Sequence, residues 1–296
     1  MLSILIPTYN FSSYSLVKEL NKQCIETNIE FEIICIDDGS LSPLNIENQN
    51  INNLSQCKFI ESKINLGLSN IRNDLAKKST YKNILFIDGD SELIDDSFIK
   101  RYLSALKNNP DVIYGGRIHT VLIDTKRSLR WKYGKYREDL SVYRRNKNIY
   151  KSVLFNNTLI KKKVFNKIGF EKNITQYGHE DTIFAYKLSL INATVIHIDN
   201  PVKHADIDLN QVYLEKTRKG LQNLNFIYNT DMVDPNFITL LRLFNQLKKI
   251  GLHYFFSYVY KIFHPFLVKN LTSKKPSLYI FDLFRLSYFC FINLNK

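Results

Sequence analysis

Along the first 120 residues, short apolar runs alternate with stretches whose apolar positions recur every three or four residues. The runs predict strands at Leu2–Ile6, Phe31–Ile36, Cys57–Ile60, Ile84–Ile87 and Val112–Tyr114, and the longer period predicts helices at Ser13–Cys24, Ser69–Lys78 and Asp96–Lys107. Strands alternating with helices imply βαβ units and a mostly parallel sheet. Residues 120–152 are basic and aromatic and read as a long excursion with weak strands. Order resumes over 153–200, with a helix near Glu180–Leu190 and a strand at Thr194–Ile198. Beyond about residue 210 the pattern turns helical and aromatic, with no internal repeat and no low-complexity linker. The expected organisation is therefore an α/β domain over residues 1–210 and a basic, aromatic-rich helical extension over 211–296.

This pattern directs attention to one edge of the sheet, because ligands of such sheets bind beyond the carboxyl ends of the strands. Pro7-Thr8-Tyr9-Asn10 follows the first strand, Asp37-Asp38-Gly39-Ser40 the second and Asp88-Gly89-Asp90 the fourth. Two carboxylates flanking one glycine can share a hard divalent cation such as Mn²⁺ or Mg²⁺, although Asp-Gly is also common turn chemistry. Paired acids such as Asp37 and Asp38 can accept hydrogen bonds from a nucleobase and ribose, or cap the turn that follows. Asn65-Leu66-Gly67 opens a helix whose N-terminus favours anions, with Arg72 one turn in, either reaching a phosphate or lying on an ordinary surface. Gly178-His179-Glu180-Asp181 opens another helix, where acids either complement the helix dipole or present a carboxylate base. His204 follows a strand and Asn200-Pro201, and a lone histidine is more often structural or exposed than a metal ligand.

In this order and spacing, five segments resemble the inverting family 2 glycosyltransferases of GT-A fold. They are Ile6-Pro7-Thr8-Tyr9-Asn10, Ile36 through Ser40, Asn65-x-Gly67 through Arg72-Asn73, Asp88-Gly89-Asp90 and Gly178 through Asp181, and the resemblance spans about residues 1–205. It implies a nucleotide-binding α/β sheet, a divalent metal and a nucleotide-diphosphate sugar donor, with a UDP-sugar expected. Residue by residue, it implies that Pro7, Thr8 and Tyr9 wall the base pocket and that Asp38, with Asp37, contacts base or ribose. Asn65, Gly67 and Arg72 would face the nucleotide; Asp88, beside Gly89, would hold the ribose or the metal's water shell. Asp90 and His204 would reach the metal. Of the acid pair, Asp181 rather than Glu180 would be the general base in a single displacement. The processive members' Gln-x-x-Arg-Trp motif is not matched: Arg130-Trp131 lies upstream of the acid pair and lacks the glutamine. A non-processive enzyme acting on a glycan or lipid-linked acceptor in bacterial surface polysaccharide assembly is the expectation. A non-catalytic nucleotide-sugar or glycan-binding protein on the same fold is the rival.

The formal net charge of +13 adds a further question about partners. Residues 211–296 hold 12 Lys and Arg against 4 Asp and Glu. No nucleic-acid motif accompanies this charge, so no nucleic acid is expected. Residues 239–263 read as one basic amphipathic helix, with Leu241, Phe244, Tyr254, Phe255, Tyr258 and Ile262 on the apolar face and Ser257 and Lys261 among those opposing it. Leu278–Leu294 is a second aromatic patch. Both either pack in a core or homo-oligomer contact, or lie in the plane of an anionic membrane surface. No run of about 18 uncharged apolar residues occurs, which argues against a spanning helix. Met1–Ile6 reads as a strand and not as a secretory leader, and Cys24, Cys35, Cys57 and Cys290 form no Cys-x-x-Cys pair, as suits reduced, buried thiols. A cytoplasmic location follows as the expectation, peripheral on the inner face of the membrane if the tail binds lipid.

Overall fold

The computed structural model describes residues 1–122, 124–174, 178–204 and 207–294. The chain forms two compact units. The body comprises residues 1–120, 139–175 and 184–206, and the helical unit comprises 121–138, 176–183 and 207–296.

A seven-stranded sheet organises the body, in the order β3 (Cys57–Glu61), β2 (Phe31–Asp37), β1 (Leu2–Thr8), β4 (Asn83–Ile87), β8 (Asn157–Lys161), β6 (Val112–Tyr114) and β9 (Val195–His197). Its pairs are parallel except that β8 runs antiparallel to both β4 and β6. Strand β1 is buried at every position, as expected of a central strand covered on both faces. Alternation divides its side chains. Ile4 and Ile6 pack with Leu16, Val17 and Leu20 of α1 (Tyr14–Glu26) and with Ile99 and Tyr102 of α4 (Phe98–Leu106). Leu5 packs in a second core with Ile71 and Leu75 of α3 (Leu68–Lys78), Phe165 of α7 (Lys162–Ile168) and Phe184 of α8 (Glu180–Leu190). Pro7 has no donor for a ladder, and it falls beyond the β1–β4 register, which ends at Leu5↔Phe86.

The expected strands and helices of the first 120 residues are all present, with ends shifted by a residue or two. Strand β8 was not expected, because Asn157 and Thr158 interrupt its apolar run. Both are fully buried, and hydrogen bonds make that tolerable. The Asn157 amide donates to Gly116 O and Asn200 O at 2.8 Å, and Tyr102 donates to Asn157 Oδ1 at 2.6 Å. A three-stranded sheet was also missed: β5 (Ser91–Glu92), β10 (Val202–His204) and β7 (Arg117–Ile118), in that order. Short helix α2 (Asn45–Asn48) precedes β3. The weak strands expected over 120–152 are corrected: the segment is helical in α5 (Ser128–Tyr133), a π-helical turn at Gly134–Glu138 and α6 (Val142–Asn146). All four cysteines are free thiols, and burial pushes Cys24 and Cys290 up to about 12.

In the helical unit, α9 (Asn210–Asn229), α10 (Thr239–Lys249), α11 (Leu252–Leu271) and α12 (Leu278–Leu294) surround an aromatic interior. Phe244 meets Phe289 at 5.0 Å between ring centroids, and Tyr133 of α5 meets Phe281 at 5.5 Å. Asn210 Oδ1 accepts from Leu129 N at 2.7 Å, which ties α5 to the start of α9. The single helix expected over 239–263 is corrected to two, broken at Gly251, whose φ of 76° favours a residue without Cβ. Among the described residues, no helix is long and apolar enough to cross a membrane.

Candidate active site

The carboxyl ends of β1, β2 and β4 are drawn together by backbone hydrogen bonds. Gly89 N donates to Pro7 O at 3.1 Å and Asp38 N donates to Thr8 O at 2.9 Å. A Cβ on Gly89 would lie 2.6 Å from Ser13 Oγ and 2.8 Å from Thr8 Oγ1, so the loop after β4 can approach β1 this closely only with glycine there. Ser13 Oγ donates to Gly89 O at 3.1 Å and completes the junction. Pro7 and Thr8 are buried in this junction and Tyr9 is exposed beside it.

The Asp-Asp-Gly-Ser loop is shaped by the same constraint. Gly39 has φ of 68°, and a Cβ there would lie 2.4 Å from the Ile64 carbonyl carbon. The Asp37 carboxylate caps its own turn, accepting from Ser40 N at 2.9 Å and Ser40 Oγ at 2.6 Å. Asp38 accepts from Leu66 N at 2.8 Å and Gly67 N at 2.9 Å, which anchors the Asn65–Gly67 segment at the start of α3. Burial pushes the Asp38 carboxyl up despite those two amides, and neighbouring Asp37 adds to the rise. Asn65 is exposed, with Oδ1 accepting from Gly67 N at 3.1 Å.

Arg72 is neither a surface residue nor an outward-reaching one: it is 1% exposed. Its guanidinium donates to Asp88 Oδ1 at 2.9 Å and lies 5.3 Å from the Phe170 ring centroid. A charge held beneath aromatic rings and against a carboxylate orients that carboxylate.

Asp90 is met from the other sheet. Pairing of β10 with β5 sets His204 opposite Ser91, one residue after Asp90. This register brings His204 Nδ1 to 3.4 Å from Asp90 Oδ2, across more than a hundred residues of sequence. Burial opposes the charge on Asp90, but the bond and charge of His204 and the charge of Arg117 outweigh it and hold the carboxyl below its usual range. Asp90 Oδ1 is buried and has no hydrogen-bond partner. A buried carboxylate oxygen with open lone pairs, beside an imidazole, fits a hard or borderline divalent cation. Among the described residues no three His, Cys, Asp or Glu side chains form a ready-made cage. An ion here would draw further ligands from a bound molecule, as Mg²⁺ commonly does with phosphates.

Sequence reasoning missed two neighbours of this corner. His119 is buried, its ring 5.6 Å from that of His204, and its Nδ1 lies 2.7 Å from Asp139 Oδ1. Asp139 Oδ2 also accepts from His119 N at 3.0 Å. No local spacing marks this pair, since 20 positions separate its members.

Glu180 and Asp181 form the first turn of α8 and belong, in that turn, to the helical unit. Both are partly buried. The two residues before them are left-handed, Gly178 with φ of 97° and His179 with φ of 73°. A side chain at Gly178 would crowd Gly220, 3.3 Å away, and Asn223 donates to Gly178 O. Two successive left-handed residues, one of them not glycine, mark a backbone held in a costly shape at the acid pair. Desolvation and the charge of Arg285 push His179 down to about 4, so its imidazole is neutral at pH 7.

No curated protein sequence matches the chain. The solved structure of the mannosyltransferase PcManGT from Pyrobaculum calidifontis, in complex with GDP-Man and Mn²⁺, is similar with TM-score 0.55 at 13% identity, covering 100% of this chain and 86% of that one. S. aureus TarS 1–349 is similar with TM-score 0.50 at 17% identity, covering 97% and 90%. The chain spans 38% of the longer S. aureus TarS structure, at TM-score 0.49 and 18% identity over 73% of this chain. The fold is thus shared with nucleotide-sugar GT-A structures, with a mixed α/β body on a mostly parallel sheet. The profile of glycosyl transferase family 2 matches residues 3–169, more than half of the chain, and the chain belongs to that family.

Proposed function

We propose that this family 2 protein is a metal-dependent, inverting and non-processive glycosyltransferase that takes a sugar from a nucleotide-diphosphate donor, a UDP-sugar in the first instance. The observation that carries the reading is Asp90, with one carboxylate oxygen beside His204 and the other buried and open. Asp90 and His204 would hold a Mn²⁺ or Mg²⁺ ion. That ion would supply positive charge to the diphosphate oxygens as the leaving group departs. The Mn²⁺ and GDP-Man of the Pyrobaculum mannosyltransferase support such a pairing of ion and donor.

The chain's own residues do the rest. Tyr9 stands at the exposed end of β1 for the base, with Pro7 and Thr8 behind it. Asp37, Asp38, Gly39 and Asn65 form the loops around the ribose, and Asp88, oriented by Arg72, faces the ribose or the ion's water shell. Asp181, with Glu180 beside it, accepts the proton of the acceptor hydroxyl. The hydroxyl oxygen forms its bond to the anomeric carbon as the bond to the diphosphate breaks, and one displacement inverts the centre. Non-processivity rests on the sequence, where Arg130-Trp131 lies upstream of the acid pair and lacks the glutamine of the processive motif. The acceptor class is a glycan or a lipid-linked sugar of a bacterial surface polysaccharide. Residues 1–210 would act as the catalytic domain, with 211–296 placing it at the inner face of the cytoplasmic membrane.

The test is donor binding followed by thermal stabilisation in a panel of nucleotide sugars, with and without Mn²⁺. The parent protein should be stabilised by one donor only when the ion is present, and Asp90→Ala should lose both the stabilisation and turnover. Full turnover by Asp90→Ala in chelator-treated buffer would refute the role.

A further inference from the structure

The helical unit shows an apolar face where an amphipathic helix should show a polar one. Helix α11 buries His253, Ser257, Tyr260, Leu267 and Leu271 on one side. Its other side carries Tyr254, Phe255, Tyr258, Ile262, Phe263 and Phe266, all exposed, with Phe266 at 69% and Tyr258 at 61%. The sequence pattern sets Ser257 opposite the aromatics, and the structure turns the Ser257 side inward and the aromatic side outward. At 100° per residue the exposed group spans the arc opposite the buried one, so α11 is apolar nearly all round. Such a helix is ordinarily enclosed by protein or lipid.

The charges around this face limit what encloses it. Between Asp234 and Asp282 there is no Asp or Glu. The same span holds seven Lys and Arg, and all seven are exposed: Arg242, Lys248 and Lys249 before α11, Lys261 and Lys269 within it, and Lys274 and Lys275 after it. A second copy docked through this face by two-fold symmetry would set cations against cations. An anionic bilayer surface answers both features, since phenylalanine and tyrosine enter the headgroup boundary while lysines meet the phosphates.

We infer that the outward face of α11 is the lipid-contacting surface of the protein, lying in the plane of an anionic bilayer without crossing it. This rests on the peripheral placement proposed above and names the face responsible. Insertion of the rings is apolar and the lysine contribution is electrostatic, so binding weakens as salt rises without vanishing.

The experiment is flotation of the full chain with vesicles of phosphatidylcholine alone or mixed with phosphatidylglycerol, at low and high salt. Parent protein and a Phe255→Ser, Tyr258→Ser, Ile262→Ser, Phe266→Ser variant are compared. The substituted side chains are exposed, so the variant should keep its circular dichroism and melting temperature. The parent should float with phosphatidylglycerol vesicles, and the variant should bind them at least about tenfold more weakly, since four large apolar contacts are removed. Substitution of Lys248, Lys249, Lys261 and Lys269 by Gln should lower binding and flatten its salt dependence. Equal flotation of parent and aromatic variant overturns the assignment to α11 while membrane attachment stands. No flotation of the parent overturns both. A dimer in solution that the four serine substitutions dissociate, without flotation, assigns the face to a second copy instead. Donor-dependent stabilisation, read in parallel, reports on the glycosyltransferase proposal independently of every one of these outcomes.

Discussion

The body and the helical unit treat the same kind of side chain in opposite ways. In the body, Phe86 and Phe184 lie at the centre of a ring cluster, with Phe155 and Phe184 centroids 4.4 Å apart, and the apolar pattern along each strand corresponds to what is buried. In α11, aromatic residues of the same pattern point outward, and Ser257 and His253 point inward. Strand alternation is tied to a sheet covered on both faces, so an apolar residue there has only an interior to enter. A helix apolar nearly all round has no such constraint, and its neighbours decide which side is buried. Apolar periodicity therefore identifies a core in the first case and only a helix in the second.

The largest expected effect concerns chemistry and contrasts the loss of one acid from each unit. Asp90 lies in the body and Asp181 in the helical unit. Asp181→Asn should lower transfer by roughly 10²–10⁴-fold, the usual range for a lost general base, and leave donor binding nearly unchanged. Asp90→Ala should remove both. Steady-state rates together with donor titrations check the contrast. Equal transfer by Asp181→Asn and parent would exclude Asp181, and loss on Glu180→Gln alone would move the role to its neighbour.

The second effect tests the packing contrast directly. Phe86→Ala removes a fully buried ring from the body core and should cost about 3–5 kcal/mol of stability. Phe255→Ala removes an exposed ring from α11 and should stay within about 0.5 kcal/mol. Urea unfolding of both variants in the absence of lipid would show whether the two rings differ as their surroundings require. A large loss on Phe255→Ala would mean that the ring is part of a protein interface.

The third effect lies in the loops. Gly39→Ala would place a Cβ 2.4 Å from the Ile64 carbonyl carbon at a left-handed φ. Strain and overlap together should cost about 3 kcal/mol. The displaced loop should also weaken donor binding, because Asp38 would lose its alignment with the amides of Leu66 and Gly67. Calorimetric melting and a donor titration on the same sample separate the two consequences.

Much of the body was legible in sequence because its information is local. Each of β1, β2 and β4 is a short apolar run ended by a polar cluster, and the parallel sheet then sets the clusters at one edge. What could not be read depends on register between distant segments. His204 reaches Asp90 only through the pairing of β10 with β5, two strands of three and two residues. His119 and Asp139 meet through a tertiary contact that no spacing announces. The burial of Arg72 beneath Phe155 and Phe170 was hidden for a similar reason, since an arginine in a helix reads as surface until its neighbours are known. Strand β8 was missed because its buried Asn157 is satisfied by Tyr102, Gly116 and Asn200, all distant in sequence.

The smallest expected effect is a pH dependence carried by one histidine in each unit. His197 in the body and His179 in the helical unit are both pushed down to about 4 from 6.5, chiefly by desolvation. His197 is buried, its ring edge-on to Tyr114 at 5.8 Å, with Nε2 donating to Ile149 O at 2.8 Å. A lowered histidine pKa means that the unfolded chain binds the proton more readily than the folded one. Stability is then complete above about pH 6.5 and falls as the pH drops toward 4. Between pH 7 and pH 5 the loss per histidine is roughly 2 kcal/mol. Carboxylates such as Asp90, held below their usual range, lose their contribution only at lower pH, so the interval from 7 to 5 reports mainly on the histidines. His197→Gln keeps a donor for Ile149 O and removes the titrating group. Its stability should therefore fall less steeply than the parent's over that interval, by an amount close to the single-histidine loss. Parallel urea titrations at pH 7, 6 and 5 would measure the difference in slope. Coincident slopes for parent and variant would show that His197 is hydrated enough to take up its proton without unfolding the body.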